Sequence, residues 1–125
     1  MNHEDIPQDS DPDENTMQIY IRHWVKQKTD LIESFFHFEN EGKTSWVRGK
    51  VQKKMGVVSG VSDIFISRSN DNYKGIWIEL KKKGKKPTKE QYSFMEQMRS
   101  DGYHATWCDT INAAIEEIKL FYSIS

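Results

Sequence analysis

The chain has 125 residues, of which 30% are charged, 36% hydrophobic and 12% aromatic, and its formal net charge is −1, so it has the size of one ordinary domain. No apolar run approaches the length of about 18 residues that a membrane-spanning helix needs. The N-terminus also lacks the basic and then apolar segments of a secretory signal, so we expect a soluble protein of the cytoplasm without a membrane partner. A single cysteine, Cys108, and four histidines exclude a disulfide framework and a Cys/His zinc site, so any metal ligands should be carboxylates.

The first 16 residues differ in charge from the rest of the chain. They contain six acidic residues and no Lys or Arg, so residues 17–125 hold 18 basic and 13 acidic residues, a net charge of +5. Residues 1–13 are also poor in hydrophobic residues and contain two prolines, which predicts a disordered acidic tail. Residues 14–125 are expected to form a single domain. The tail either solubilises the chain or competes with a polyanion for the basic domain.

The first half of the domain is predicted to contain helix, strand and helix. Residues 17–28 (MQIYIRHWVKQK) place apolar side chains on one face at helical spacing. Residues 34–38 (SFFHF) are short and aromatic, which favours a strand. Residues 44–55 (TSWVRGKVQKKM) have a helical second half that stops at Gly56, a typical helix-ending residue.

The second half is predicted to contain three strands and two helices. Residues 63–67 (DIFIS) and 76–81 (IWIELK) flank a polar turn, which indicates a hairpin. Residues 88–102 begin with Thr and Gln in capping-box spacing and form a helix, and residues 103–108 form a strand. Asp109 caps the last helix. The order α-β-(α)-β-β-α-β-α predicts an α/β (α+β) fold with a central mixed β-sheet flanked by helices.

Asp63, Glu79 and Lys81 are the residues best placed for chemistry. Alternate side chains of a strand point to opposite faces, so Glu79 and Lys81 are expected to emerge together from the face opposite the apolar residues. If the two strands pair, Asp63 lies beside Glu79, because paired strands are only about 5 Å apart. Repulsion between the carboxylates is relieved by a shared cation or by a raised pKa. Mg²⁺ or Mn²⁺ fits this arrangement, and a lysine beside the site can orient or deprotonate a water. An exposed strand face with incidental charges is the alternative.

Two basic clusters accompany this constellation. They span residues 43–54 and 81–89, and neither contains an acidic residue. Such stretches are often only solvated loops, but two of them can also bind a polyanion such as nucleic acid. Trp46 either packs in the core or at its rim, or stacks on an unpaired base. Besides Lys81, the candidate contacts are Lys43, Arg48, Lys50, Lys53, Lys54, Lys82, Lys83, Lys85 and Lys86.

Three blocks in order, MGVVSGVSDIFI, KGIWIELK and EQYSFMEQMRSDGYHATWC, make the sequence resemble the virus-type replication-repair nuclease (VRR-NUC) family of the PD-(D/E)XK superfamily. The resemblance runs from about Glu14 to Phe121 and implies a restriction-endonuclease-like core within residues 14–125. Glu14 and Gln18 are similar to the family's opening E-x-x-x-Q pattern, which implies a further catalytic acid and metal ligand at Glu14; an acid favoured by the helix N-terminus is the alternative. One departure is Ser62, which replaces the proline of the family's Gly-x-Pro-Asp turn.

The resemblance also implies roles for the central residues. Asp63 would be the metal-binding aspartate, Glu79 the second metal ligand and Lys81 the lysine of the (D/E)-x-K motif. The backbone carbonyl of Leu80 would be a further metal donor. Gln91 would support the lysine or a phosphate-bound water, although its capping position explains it equally well.

A divalent-metal-dependent DNA endonuclease that hydrolyses phosphodiester bonds is the implied activity, with Mg²⁺ or Mn²⁺ as cofactor. No base-reading module is evident, so we expect structure-selective cutting of branched or four-way-junction DNA. Stand-alone members of the family resemble Holliday-junction resolvases, and a symmetric junction suits a homodimer because one chain carries one site. The alternatives are a flap or branched-DNA nuclease of repair or replication, and a non-catalytic nucleic-acid-binding module. Each of these three functions is consistent with a protein at the nucleoid or in a virus-infected host cell.

Overall fold

The computed structural model describes residues 11–38 and 60–125. In these ranges the helices and strands follow in the order α1 (Glu14–Lys28), β1 (Phe35–His37), β2 (Ile64–Ile66), β3 (Ile76–Leu80), α2 (Lys89–Ser100), β4 (His104–Cys108) and α3 (Ile111–Tyr122). A 3₁₀ turn, Ile32–Ser34, leads into β1. The helix predicted within residues 44–55, and the whole first basic cluster, lie outside the described residues. None of the described helices is long and apolar enough to cross a membrane.

One sheet joins the described strands in the order β1-β2-β3-β4. β1 with β2 and β2 with β3 are antiparallel, whereas β3 and β4 are parallel. A parallel pair requires a crossover connection, which α2 supplies. The predicted α/β class with a mixed sheet flanked by helices is confirmed, and so is the hairpin between β2 and β3.

The hydrophobic core lies between one face of the sheet and helices α1 and α3. Each of these helices buries a stripe at helical spacing, such as Met17 and Ile21 in α1 and Ile115 and Ile118 in α3. The strands supply alternate residues to the same core, and these are Ile64, Ile66, Ile76, Ile78 and Leu80. Helix α2 packs on the opposite face, where it contacts β3 and β4. The residues between the apolar ones therefore point towards α2.

Helix α1 begins earlier than its apolar periodicity predicts. The carboxylate of Asp13 accepts a 2.8 Å hydrogen bond from the N–H of Thr16, so the helix starts at Glu14, three residues before Met17. An N-cap side chain supplies an acceptor to an N–H that has no partner within the helix. This cap adds a polar first turn that hydrophobic spacing does not detect, and it places Glu14 at the beginning of α1.

The caps of the other two helices differ in how well they were predicted. Thr88 caps α2 and forms the predicted capping box with Gln91. For α3 the prediction of Asp109 as the cap was wrong, since the hydroxyl of Thr110 accepts the N–H of Ala113 at 3.0 Å. A cap must lie three residues before the N–H that it satisfies, and Asp109 is one residue too early.

Candidate active site

The register of the β2–β3 hairpin brings Asp63 and Glu79 together. Ile64 pairs with Ile78 in the antiparallel ladder, so Asp63 and Glu79 occupy the next facing positions. Asp63 Oδ2 also accepts a 2.7 Å hydrogen bond from the backbone N–H of Leu80. The aspartate is therefore fixed against the end of β3, directly beside the glutamate.

Both carboxylates are buried, Asp63 with 4% and Glu79 with 1% of its surface exposed. The expectation that Glu79 emerges from the sheet was wrong, because helix α2 packs over this face of β3. Burial, reinforced by the charge of Asp63, raises the pKa of Glu79 to about 9. Burial also raises the pKa of Asp63 to about 6, although the Leu80 N–H acts in the opposite direction. Near pH 7 the pair therefore holds about one proton.

The donor set of this pair fits a divalent metal ion. Among the residues that the structure describes, Glu79 Oε2 is buried and has no hydrogen-bond partner. A buried carboxylate oxygen without a donor is costly, and a shared cation relieves both this cost and the repulsion between the two charges. Residues 11–38 and 60–125 contain no group of three or more His, Cys, Asp or Glu residues that could hold a metal ion. Mg²⁺ is commonly held by only one or two carboxylates together with waters and phosphate oxygens.

Lys81 is held on the same face by Gln91. The Lys81 Nζ lies 3.4 Å from Gln91 Oε1. The same oxygen accepts a 2.8 Å hydrogen bond from the N–H of Thr88, and this bond belongs to the capping box of α2. The two alternatives for Gln91, helix cap and lysine partner, are thus combined in one atom. Because the cap fixes the amide group, the start of α2 fixes the partner of the lysine.

Glu14 connects the start of α1 to the end of β3 through a hydrogen bond. Its Oε1 accepts a 3.3 Å hydrogen bond from the backbone N–H of Lys82. Its negative charge also contributes to the raised pKa of Asp63, after burial. Glu14 is therefore near the carboxylate pair. The same contact ties the second basic cluster to this edge of the sheet, where its lysines after Lys81 are exposed.

Comparison with known proteins shows the family to which the chain belongs. A family model described as the VRR-NUC domain matches residues 3–111. The chain belongs to the VRR-NUC family. Among solved structures, a VRR-NUC domain protein superposes with a TM-score of 0.78 and 24% sequence identity, covering 93% of each chain, which shows a common fold. The search of curated proteins gives no match. Membership in the VRR-NUC family gives the chain a nuclease-type fold.

The turn before Asp63 in this VRR-NUC domain packs directly against α2. Gly60 has a φ of +82°, and a Cβ at this position would lie 2.4 Å from the carbonyl oxygen of Glu90. A left-handed backbone and a close approach both require glycine here. The sequence indicated a tight turn at Gly60, but its contact with α2 joins residues too distant in sequence to be predicted from local pattern.

Ser62 occupies the position of the family's proline within the same turn. It is fully buried, and within the described part of the chain its hydroxyl has no hydrogen-bond partner. Serine therefore adds a buried polar atom where the family's ring would restrict the backbone. The side chain itself takes no part in the carboxylate pair.

Proposed function

We propose that this VRR-NUC domain is a divalent-metal-dependent endonuclease that hydrolyses DNA phosphodiester bonds. The observation that carries the proposal is the buried pair of Asp63 and Glu79, with an unpartnered oxygen among the described residues, on the face that also holds Lys81. Buried like charges lower the stability of a fold unless a cation joins them. Family membership supports the same conclusion, because the match to the VRR-NUC domain covers residues 3–111 and so includes all three residues.

Asp63 and Glu79 would hold Mg²⁺ or Mn²⁺, with the Leu80 carbonyl as a further donor, and the bound ion would stabilise charge on the phosphate and lower the pKa of a water. Glu14 lies nearby, but the described residues place it in no three-residue metal-binding group with the pair. The pair has to release its shared proton before it can bind a cation. Lys81 then orients the water that attacks phosphorus, and Gln91 keeps the ammonium group in place through its Oε1. β3 therefore supplies the acid, the residue that follows β3 is the lysine, and α2 positions this lysine.

The second basic cluster supports DNA binding next to this site. Lys82, Lys83, Lys85 and Lys86 are exposed and follow directly after β3. Lysines bind the phosphate backbone without reading base sequence. The first cluster is proposed to act in the same way, through Lys43, Arg48, Lys50, Lys53 and Lys54. Backbone contacts without base readout favour structure-selective cutting.

Among structure-selective activities we favour a Holliday-junction resolvase-like homodimer. A four-way junction has two symmetric strands to cut, and a chain with one site needs a second copy related by a two-fold axis. A flap or branched-DNA nuclease of repair or replication is the second candidate, since it needs the same chemistry but only one site.

The test is cleavage of labelled DNA by the purified chain. A four-way junction, a flap and a linear duplex are each incubated with Mg²⁺, Mn²⁺ or EDTA. The Asp63→Asn variant removes the proposed ligand, and the Asp71→Asn variant is the matched control at an exposed turn. We expect metal-dependent cutting that Asp63→Asn abolishes and Asp71→Asn preserves. Paired symmetric nicks in the junction support the resolvase, and single cuts near the flap support the second candidate. Cleavage by Asp63→Asn at the wild-type rate, or no cleavage with any metal, refutes the proposal.

A further inference from the structure

A row of aromatic rings lies on the same face of the sheet as the carboxylate pair. Phe36, Phe65 and Trp77 occupy facing positions on β1, β2 and β3. Their rings stack successively, with centroids 6.4 Å and 4.3 Å apart and interplanar angles of 25° and 24°. The inner end of the row is closed by Phe94, whose ring meets Trp77 edge-on. At the outer end, 48% of the surface of Phe36 is exposed, and no further ring of the described residues stacks on it.

Phe38 connects this row to the proposed catalytic residues. Its backbone N–H donates a 2.8 Å hydrogen bond to the carbonyl of Asp63. Its ring stacks on Trp77 with centroids 5.8 Å apart, although strand β2 lies between their two strands. The ring therefore leans across the Asp63 end of β2. Because 39% of its surface is exposed, an aromatic surface that the described residues leave partly uncovered begins beside Asp63.

Charge is distributed unevenly around the pair. Phe36 and Phe38 lie on its β1 side, whereas the exposed lysines of residues 82–86 follow β3, whose next residue, Lys81, donates a 2.9 Å backbone hydrogen bond to Cys108 of β4. A phosphate held at Asp63 and Glu79 would thus have cations for its neighbouring phosphates in one direction and flat rings in the other. Alternating phosphates and planar bases are the chemistry of a nucleic-acid strand, and proteins that bind unpaired strands combine a basic groove with aromatic stacking platforms.

We propose that Phe36 and Phe38 form a stacking surface for an unpaired nucleobase next to the phosphate that is cut. This inference rests on the proposed nuclease function and narrows its substrate to DNA with an unpaired or displaced base at the cut site. A base within a duplex has both faces covered by its neighbours, so only an unpaired or displaced base can present a face to a side chain. The surface would therefore direct the enzyme to branch points, bulges and single strands.

The test is a binding cycle in EDTA, in which cleavage plays no part. Fluorescence anisotropy measures the affinity of the full chain for a duplex with a one-nucleotide bulge, for the same duplex with an abasic bulge, and for a fully paired duplex. Phe36→Leu and Phe38→Leu remove the stacking ring but keep an apolar side chain. Tyr92→Leu is the matched control, because Tyr92 is equally exposed but lies on α2, outside this row of rings.

We expect Phe38→Leu to weaken binding of the base-containing bulge by about 5-fold to 100-fold, the range for loss of one stacked base. Binding of the abasic bulge and of the paired duplex should change less than about twofold, and Tyr92→Leu should change none of the three. Phe36→Leu should act in the same direction with a smaller effect, since Phe36 pairs with Phe65, two residues further along β2 from Asp63.

Three results would overturn the inference. The first is equal weakening of all three DNAs, which indicates a general loss of binding. The second is a change in sedimentation without any dependence on the base, which assigns the surface to a second copy of the chain. The third is a lower melting temperature with no effect on the base dependence, which indicates that the rings only stabilise the fold. If Phe38→Leu weakens binding only of the base-containing bulge but the chain cuts no DNA, the stacking surface stands and only the nuclease proposal is refuted.

Discussion

Replacing Asp63 by Asn should stabilise the metal-free protein at neutral and alkaline pH. Burial raises the pKa of Asp63 from 3.8 to about 6, so the folded state keeps a proton that the unfolded chain releases. Stability is therefore fully present below about pH 4 and is lost as the pH rises to about 6. A pKa rise of this size corresponds to about 3 kcal/mol. Asn keeps an oxygen acceptor for the Leu80 N–H and removes the charge that also raises the pKa of Glu79.

The measurement is urea unfolding in EDTA at pH 4 and pH 8. We expect Asp63→Asn to raise the free energy of unfolding by about 3 kcal/mol at pH 8 and to have little effect at pH 4, where the carboxyl group is protonated in both states. Asp71→Asn, at an exposed position, should remain within about 0.5 kcal/mol of wild type at both pH values. Destabilisation at pH 8, or an equal gain at both pH values, would contradict the description of Asp63 as a carboxyl group whose burial raises its pKa.

Further predictions concern the turn before Asp63 and the metal ion. Ser62→Pro should stabilise the chain by about 0.5–1 kcal/mol in urea unfolding, and the Ser62→Ala control separates loss of the buried hydroxyl from the effect of the ring; destabilisation by both variants would be the opposite result. Gly60→Ala should lower the free energy of unfolding by more than about 2 kcal/mol, because its Cβ would meet the backbone of Glu90. Gly84 has a similar positive φ but no described atom within 4 Å of a Cβ, so Gly84→Ala should lower the free energy of unfolding by only about 1–2 kcal/mol. Equal losses in the two variants would exclude the steric explanation. Mg²⁺ should raise the melting temperature of wild type but not of Asp63→Asn, and binding near pH 7 should release about one proton into weakly buffered solution; Mg²⁺ binding without proton release would contradict the shared proton.

Local sequence patterns were sufficient for the elements that depend on nearby residues. The alternation in IWIELK identified the apolar face of β3, and the Thr88–Gln91 spacing identified the start of α2. The ordered motifs were sufficient for the family and its fold. Each of these signals comes from residues within one element or one turn of each other, where side-chain direction and hydrogen bonding follow directly from spacing.

Features that depend on packing between distant elements could not be predicted in this way. Alternation places Glu79 on the face opposite the core, but it does not indicate that α2 covers this face and buries the carboxylate. The close approach of Gly60 to Glu90 and the double use of the Gln91 oxygen are likewise contacts between separate elements. The prediction of Asp109 as the cap of α3 failed for a different reason. Asp109 and Thr110 are adjacent residues of types that both cap helices, and only the backbone geometry decides between them.

The central claim is that Asp63 and Glu79 form a metal-dependent phosphodiesterase site. Its most direct test is the rate of junction cleavage in Mn²⁺ by wild type and by Glu79→Gln, which preserves the shape of the side chain and removes its charge. We expect wild type to cleave the junction and EDTA to abolish this cleavage. The variant should lose at least about 100-fold in rate, corresponding to about 3 kcal/mol of metal-assisted stabilisation. A Glu79→Gln rate within about twofold of wild type, or cleavage that persists in EDTA, would contradict it.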